Sequence, residues 1–348
     1  MTTEHCPRKV QPRLCGARVR LYTLFSLVLA AALVTQARAQ TCLTSGDMDT
    51  ATRTALETAG RRYFDMVARG DVASLRQNAI PNLANDFSGV ESAVKDNQAT
   101  LAGAQATPRP VYELQEQGTA PAARAEFFCG VFGANGQTAN SSVFVIPNLA
   151  AGNYGIVILD APSNKGALTV SFVLQQMGAD WKIGGLYIRP AQIAGHDSNW
   201  YLQKAREYKA KGQTHNAWFY YREAGELLSP VPFMSTLATD KLYDESQAAR
   251  PADLPTNAPL DLPAAGGKTY KVTALFPLGV GNDLDVVVRY QYPDVSNTAQ
   301  TFQDNMAVIR ALVAKYPELR DAFTGVVARA VEPSGRDYGT LLPMKDVR

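Results

Sequence analysis

The sequence predicts an α+β protein. Two observations carry that class. Segments of helical period fill residues 47–101, and short apolar or alternating runs follow them up to residue 188. Helices gathered ahead of strands, instead of alternating with them, point away from a doubly wound parallel sheet.

The elements follow from local chemistry. Asp47 or Asp49 caps a first helix, in which Leu56, Ala59, Tyr63 and Val67 recur at helical spacing until Gly70-Asp71 breaks it. A short second helix carries Val72, Leu75 and Ile80, and Pro81 resets the chain. A third helix is predicted to hold Leu83, Phe87, Val90, Val94 and Leu101. Strands are predicted at 111–114, 127–132, 142–146, 154–159, 168–174 and 181–188, separated by Gly, Pro, Asn and Asp turns.

Residues 1–39 read as an export signal. Arg8, Lys9, Arg13, Arg18 and Arg20 form a basic leader, residues 21–34 carry no charge, and Ala37-Arg38-Ala39 offers the small-x-small site that places cleavage before Gln40. The apolar run has 14 residues, short of the roughly 20 that a spanning helix needs. The leader holds six of the 34 Lys/Arg and one of the 32 Asp/Glu, so the mature chain carries a net charge of −3. No basic patch remains for nucleic acid, and no further run could span a membrane. The reading is a secreted or periplasmic, cell-envelope protein. Cys6 and Cys15 leave with the leader; Cys42 and Cys129 stay, and an oxidising compartment favours a disulfide between them over two buried thiols.

The long first helix, the Ala68-Arg69-Gly70-Asp71 step into a short second helix, and the closing segment Trp181-Lys182-Ile183-Gly184-Gly185-Leu186-Tyr187-Ile188 are similar to the nuclear transport factor 2-like, or cystatin-like cone, superfamily. The resemblance covers residues 47–190 within a domain at 40–190. It implies a conical domain in which a bent antiparallel sheet wraps the helices and leaves a pocket at its open end. Tyr63, Phe87, Trp181 and Tyr187 are the aromatics that could line such a pocket for a small apolar ligand; core packing is their other use.

Residues 198–248 differ in texture. Tyr201, Ala205, Tyr208 and Gly212, then Ala217, Tyr221 and Ala224, with Pro230 closing, resemble the small–large spacing of one tetratricopeptide repeat. A third helix at about 234–248 packs on the pair. A single copy cannot bury its face alone, so the hairpin docks on a neighbouring domain or on a protein partner. Trp218-Phe219-Tyr220-Tyr221 spreads aromatic surface around most of a helix, which demands the same. Residues 249–267, with Pro251, Pro255, Pro259, Pro263 and Gly266-Gly267, read as a linker. A small C-terminal α+β domain at 268–348 is predicted: strands at 270–276 and 284–292, a helix at 298–316 with Phe302, Met306, Ile309, Val313 and Tyr316 on one stripe, and a strand at 323–331. Gly279-Val280-Gly281 and the 335–339 segment read as strand turns.

Catalytic chemistry is thin. The mature chain has two histidines, His196 and His215, both outside the cone-like domain. Asp197 or Ser198 reads as a helix cap, and His215 as a surface residue beside a Thr214 cap. No Cys or His spacing indicates a metal, and no cofactor motif is present. An isomerase- or lyase-type reaction would need an Asp base and a Tyr donor; Asp65, Asp86, Tyr63, Tyr112 and Tyr187 are available, with no spacing that singles them out. The residues favour an exported non-enzymatic protein that binds a partner or a small ligand. A pocket enzyme and a structural envelope protein are the alternatives.

Overall fold

Strand β6 explains the arrangement of the N-terminal half. The computed structural model describes residues 39–131 and 136–348. The leader read at 1–39 falls outside these but for Ala39, and so does Phe132. In chain order the elements are β1 (Ala39–Thr44), α1 (Thr50–Arg69), α2 (Val72–Gln77), α3 (Pro81–Asn85), α4 (Ser88–Leu101), β2 (Thr107–Pro108), β3 (Tyr112–Gln117), β4 (Ala122–Cys129), β5 (Ser142–Leu149), β6 (Gly152–Ser163), β7 (Gly166–Met177) and β8 (Asp180–Pro190). There follow α5 (Ser198–Ala210), α6 (Thr214–Leu228), β9 (Met234–Thr236), α7 (Leu237–Gln247), β10 (Leu260–Pro263), β11 (Thr269–Val280), β12 (Asp283–Gln291), α8 (Thr298–Lys315), β13 (Gly325–Val331) and β14 (Asp337–Pro343). The fold class is α+β, with helices and three mostly antiparallel sheets.

The capping chemistry is local. Asp49 caps α1 by accepting from the Thr52 N–H at 2.8 Å, and Gly70 ends it at φ 71°, a left-handed position that glycine adopts without strain. Asp71 then caps α2, and Pro81 opens α3. The predicted third helix is two: the chain breaks at Asp86 and Phe87, so Leu83 and Val90 lie on separate helices.

β1, β3, β6, β7 and β8 form one sheet in that order, with β2 beside β6. β6 is buried along Tyr154–Leu159 because both of its faces are covered. Val157 and Leu159 meet α1 to α4, in a core with Leu56, Tyr63, Val94 and Phe172. Ile156 and Ile158 meet a second, three-stranded sheet (β4-β5-β9), in a core with Leu114, Phe127 and Phe144. The result is a helix layer, a sheet and a smaller sheet. α1 lies close on β6: a Cβ on Gly60 would strike Val157, and one on Gly155 would strike Leu56. Phe127 is fully buried while Phe128 is 57% exposed, as strand alternation demands. Cys42 on β1 and Cys129 on β4 form a disulfide, which ties the two sheets together.

The hairpin and the C-terminal unit share a single core. α5 and α6 interlock through Tyr201, Ala205, Tyr208, Ala217, Tyr221 and Ala224. The aromatic run on α6 is absorbed within the chain. Phe219 packs edge-on to Phe323 at 5.9 Å, and Tyr220 donates to the Ala322 carbonyl at 2.6 Å. Trp218 lies under the Arg250 guanidinium, and Tyr208 donates to the Asp321 carbonyl at 2.9 Å. His215 is also no surface residue. Its Nδ1 and Nε2 lie 2.7 and 2.8 Å from Glu318 Oε1 and Asp253 Oδ1, and its ring packs on Tyr316. Thr214 begins α6 without a side-chain cap.

β10 to β14 form the last sheet in sequence order, antiparallel except for β12 and β13, which run parallel and are joined through α8. The stretch read as a linker therefore supplies an edge strand: Leu260–Pro263 pairs with β11, and Leu262 is buried. Prolines at both ends of that strand are compatible with an edge.

Two outcomes follow from these contacts. The disulfide closes a sequence separation of 87, for which chain entropy gives a stabilisation of about 4–5 kcal/mol. Denaturant unfolding with and without reductant is expected to show a loss of that order; coincident curves would refute it. Glu223 on α6 has its carboxyl pushed up to about 7 by burial, with Arg222 opposing and Glu226 adding. A raised acid favours folding below its unfolded value of about 4.5 and loses that contribution as pH rises through about 7. Glu223→Gln is accordingly expected to raise Tm at pH 8 and leave it unchanged at pH 4.5. Thermal melts at both values check the sign.

Candidate functional site

The space between the helices and the β1-β3-β6-β7-β8 sheet is filled by side chains. Tyr63 on α1, Phe87 before α4 and Trp181 on β8 all belong to that core, at 0%, 1% and 6% exposure. The Tyr63 hydroxyl donates to the Trp181 carbonyl at 2.6 Å, and burial pushes that phenol up. These three aromatics are together in the core; of them only Trp181 also borders a recess, one of about 700 Å³ that it shares with Thr58, Arg62 and Asp180.

Tyr187 is elsewhere. An even spacing from Trp181 would put both on one face of β8. The register, however, slips: Leu174 pairs with Ile183 and Val173 with Gly185, so Gly184 is an extra, unpaired residue. A bulge of this kind reverses the alternation beyond it. Trp181 and Ile183 face the helices, while Tyr187 faces the three-stranded sheet. The Gly184-Gly185 pair was the visible signal for it.

Tyr187 there lines a groove of about 880 Å³ between the two sheets. Its walls are Ile146, Leu149, Val173, Phe233 and Met234, with Tyr187 edge-on to Phe233 at 5.7 Å. Burial pushes the Tyr187 phenol up, with Arg189 opposing. The polar groups in the lining are neutral: Asn82, Asn148, Gln175 and Ser235, besides Tyr154, whose hydroxyl donates to the Ala150 carbonyl at 2.9 Å. Asn148 holds φ 52°, a left-handed conformation that asparagine tolerates. Among the described residues no Asp, Glu or His lines this groove. Phe233 was not legible as a site residue, because Pro230 read only as the end of the hairpin.

A second cavity, of about 980 Å³, opens on the C-terminal sheet. Its floor is polar. Asp304 on α8 accepts from Lys268 Nζ at 2.7 Å and the Tyr270 hydroxyl at 2.8 Å through one oxygen. The other accepts from the Tyr292 hydroxyl at 2.7 Å and Gln300 Nε2 at 3.3 Å. Burial would raise this carboxyl, but the Lys268, Tyr292, Tyr270 and Gln300 hydrogen bonds outweigh it and hold it at about 2. With four donors in place, Asp304 is unsuited to act as a base; it fixes two phenols and an ammonium instead.

His196 and Asp197 are structural. Asp197 caps α5 by accepting from the Trp200 N–H at 2.9 Å, and His196 stacks on Trp200 at 3.6 Å. Among the described residues no group of three His, Cys, Asp or Glu side chains is placed to hold a metal, and no helix is long and apolar enough to cross a membrane. No protein family, curated protein or solved structure matches this chain.

The Asp304 cluster makes a further outcome measurable. A carboxylate lowered from 3.8 to about 2 stabilises the fold above its unfolded value and loses that contribution as pH falls toward 2. Asp304→Asn is expected to cost about 2–3 kcal/mol at pH 7 and to flatten the acid limb between pH 4 and 2. Urea unfolding across that range checks both.

Proposed function

We propose that this is an exported, non-enzymatic binding protein that takes a small, uncharged, largely apolar ligand in the groove between its two N-terminal sheets. The observation that carries the reading is the groove's lining. About 880 Å³ is walled by aliphatic and aromatic side chains, with only amides, a serine and phenols for polar contact. Ligand sites of roughly 300–1,000 Å³ have this composition, with apolar walls and a few placed polar groups that orient the ligand. The rim amides of Asn82, Asn148 and Gln175 would hydrogen-bond a hydroxyl, ester or amide head, while Tyr187 and Phe233 cover an apolar tail.

Export is supported by the basic leader, its apolar run and the Ala37-Arg38-Ala39 site, together with the Cys42–Cys129 disulfide. The mature chain would work in the periplasm, cell envelope or exterior. The order of helices followed by a bent sheet supports a nuclear transport factor 2-like reading of residues 40–190. A proton-transfer enzyme would need a carboxylate facing this apolar wall, and no lining residue supplies one. The partner reading for 198–248 loses its motive, because the aromatic run on α6 is occupied by the chain's own C-terminal unit.

The test uses an apolar fluorescent dye and a series of long-chain alcohols and monoacylglycerols. Saturable binding and a raised Tm are expected, with Tyr187→Ala weakening binding about tenfold and Val173→Trp abolishing it by filling the groove. Tyr243→Ala, on the exposed face of α7, is expected to change nothing. Binding that ignores Val173→Trp would place the ligand elsewhere.

A further inference from the structure

The buried carboxylate of Glu116 is half satisfied. Glu116 lies on β3 at 3% exposure. One oxygen, Oε2, accepts from Gln40 Nε2 at 2.8 Å. The other, Oε1, has no hydrogen-bond partner. A buried ionised oxygen without a donor is costly, and such atoms are rare in native structures. No lysine, arginine or histidine pairs with Glu116 among the described residues. Its charged neighbours add no free cation. Glu113 on the same strand accepts from Gln115, and Glu126 on β4 is paired with Arg124. Tyr154 on β6 is pushed up by burial and then by the Glu116 charge. The locality is negative, and among the described residues no cation offsets Glu116.

The residue that holds Glu116 is also the residue at which the mature chain is read to begin. Gln40 bridges two strands: its Nε2 donates to Glu116 on β3, and its Oε1 accepts from the Glu126 N–H on β4 at 2.8 Å. Both ends of the amide are engaged, so residue 40 is pinned beside the carboxylate. The small-x-small site ends at Ala39, so the cut falls directly before Gln40. Before cleavage, the nitrogen of Gln40 is a neutral peptide nitrogen with one N–H. Cleavage adds water across the Ala39–Gln40 amide. Ala39 leaves as a carboxylate, and Gln40 keeps its nitrogen, which takes up a proton. That nitrogen becomes an ammonium with three donors and one positive charge.

We infer that the α-ammonium of Gln40, created by removal of the leader, is the missing partner of Glu116 Oε1, so that processing itself completes a buried ion pair joining β1 to β3. The inference rests on the export reading. The pair is worth more than a surface bridge because Glu116 is already out of water. The engaged side chain has a second effect. A terminal glutamine can cyclise when its amine attacks the δ-carbonyl and expels ammonia. Here the carbonyl oxygen and the amide nitrogen are both held, and the amine is held as an ammonium, which is not a nucleophile.

The test has two arms. In the first, the exported protein is recovered and its N-terminus is sequenced and weighed. An uncyclised Gln40 is expected. A different first residue overturns the export cut and this proposal with it, and a cyclised Gln40 overturns the proposal alone. In the second, the chain beginning at Gln40 is compared with the same chain extended by Ala39 and two further neutral residues, each with and without Glu116→Gln. The extension is expected to lower Tm by about 2–4 °C when Glu116 is present and to have no effect with Glu116→Gln. An amine-reactive label is expected to modify the Gln40 terminus at least tenfold more slowly with Glu116 than with Glu116→Gln. Equal shifts and equal labelling in both backgrounds would overturn the ion pair while leaving the export reading untouched.

Discussion

The N-terminal half depends on one constraint: β6 is apolar on both faces. Val157 and Leu159 cannot be covered by the layer that covers Ile156 and Ile158, because successive side chains on a strand point in opposite directions. Two covers are needed, and the chain supplies them from different parts of itself. The helices before residue 102 form one; the β4-β5 pair, completed by β9 from beyond the hairpin, forms the other. The disulfide between β1 and β4 holds the second cover in place at its far end. The groove is where that cover stops short of the sheet edge.

Much of this was legible. Helix starts and stops are written in short-range chemistry, and Asp49, Gly70, Asp71 and Pro81 act where the sequence places them. The alternation in each strand is equally local. What escaped was non-local or singular. β1 and β10 are short strands whose identity comes from their partners, so proline-rich residues 249–267 read as a tether. Of the four candidate pocket aromatics, Trp181 and Tyr187 are sent to opposite faces of β8 by one unpaired glycine. Tyr63, Phe87 and Trp181 pack as core, and only Tyr187 reaches the groove. Phe233, its partner across the groove, comes from a proline-flanked turn without periodicity to announce it.

The C-terminal half shows a different economy. The hairpin, the five-stranded sheet and α8 share one core, so the hairpin and the sheet each cover part of the other's apolar surface. The tyrosines suit this role because their rings fill the gap while their hydroxyls satisfy carbonyls at the seam, as Tyr208 and Tyr220 do with Asp321 and Ala322. His215 adds a polar cross-brace between α6, the 253 segment and the turn at Pro317–Asp321. Burial would raise the Asp253 carboxyl, but its contacts with His215 and Tyr316 together outweigh that and hold it below its usual value.

The bulge at Gly184 also bears on how such a protein could diversify. Because it assigns the two ends of β8 to opposite faces, side chains that seat the helices and side chains that line the groove are drawn from separate positions. Tyr187, Val173 and Phe233 can vary in size and polarity while Tyr63, Phe87 and Trp181 keep the helices seated. A lineage carrying this kink could therefore reshape the groove by drift on one face, without first accumulating a reserve of stability on the other.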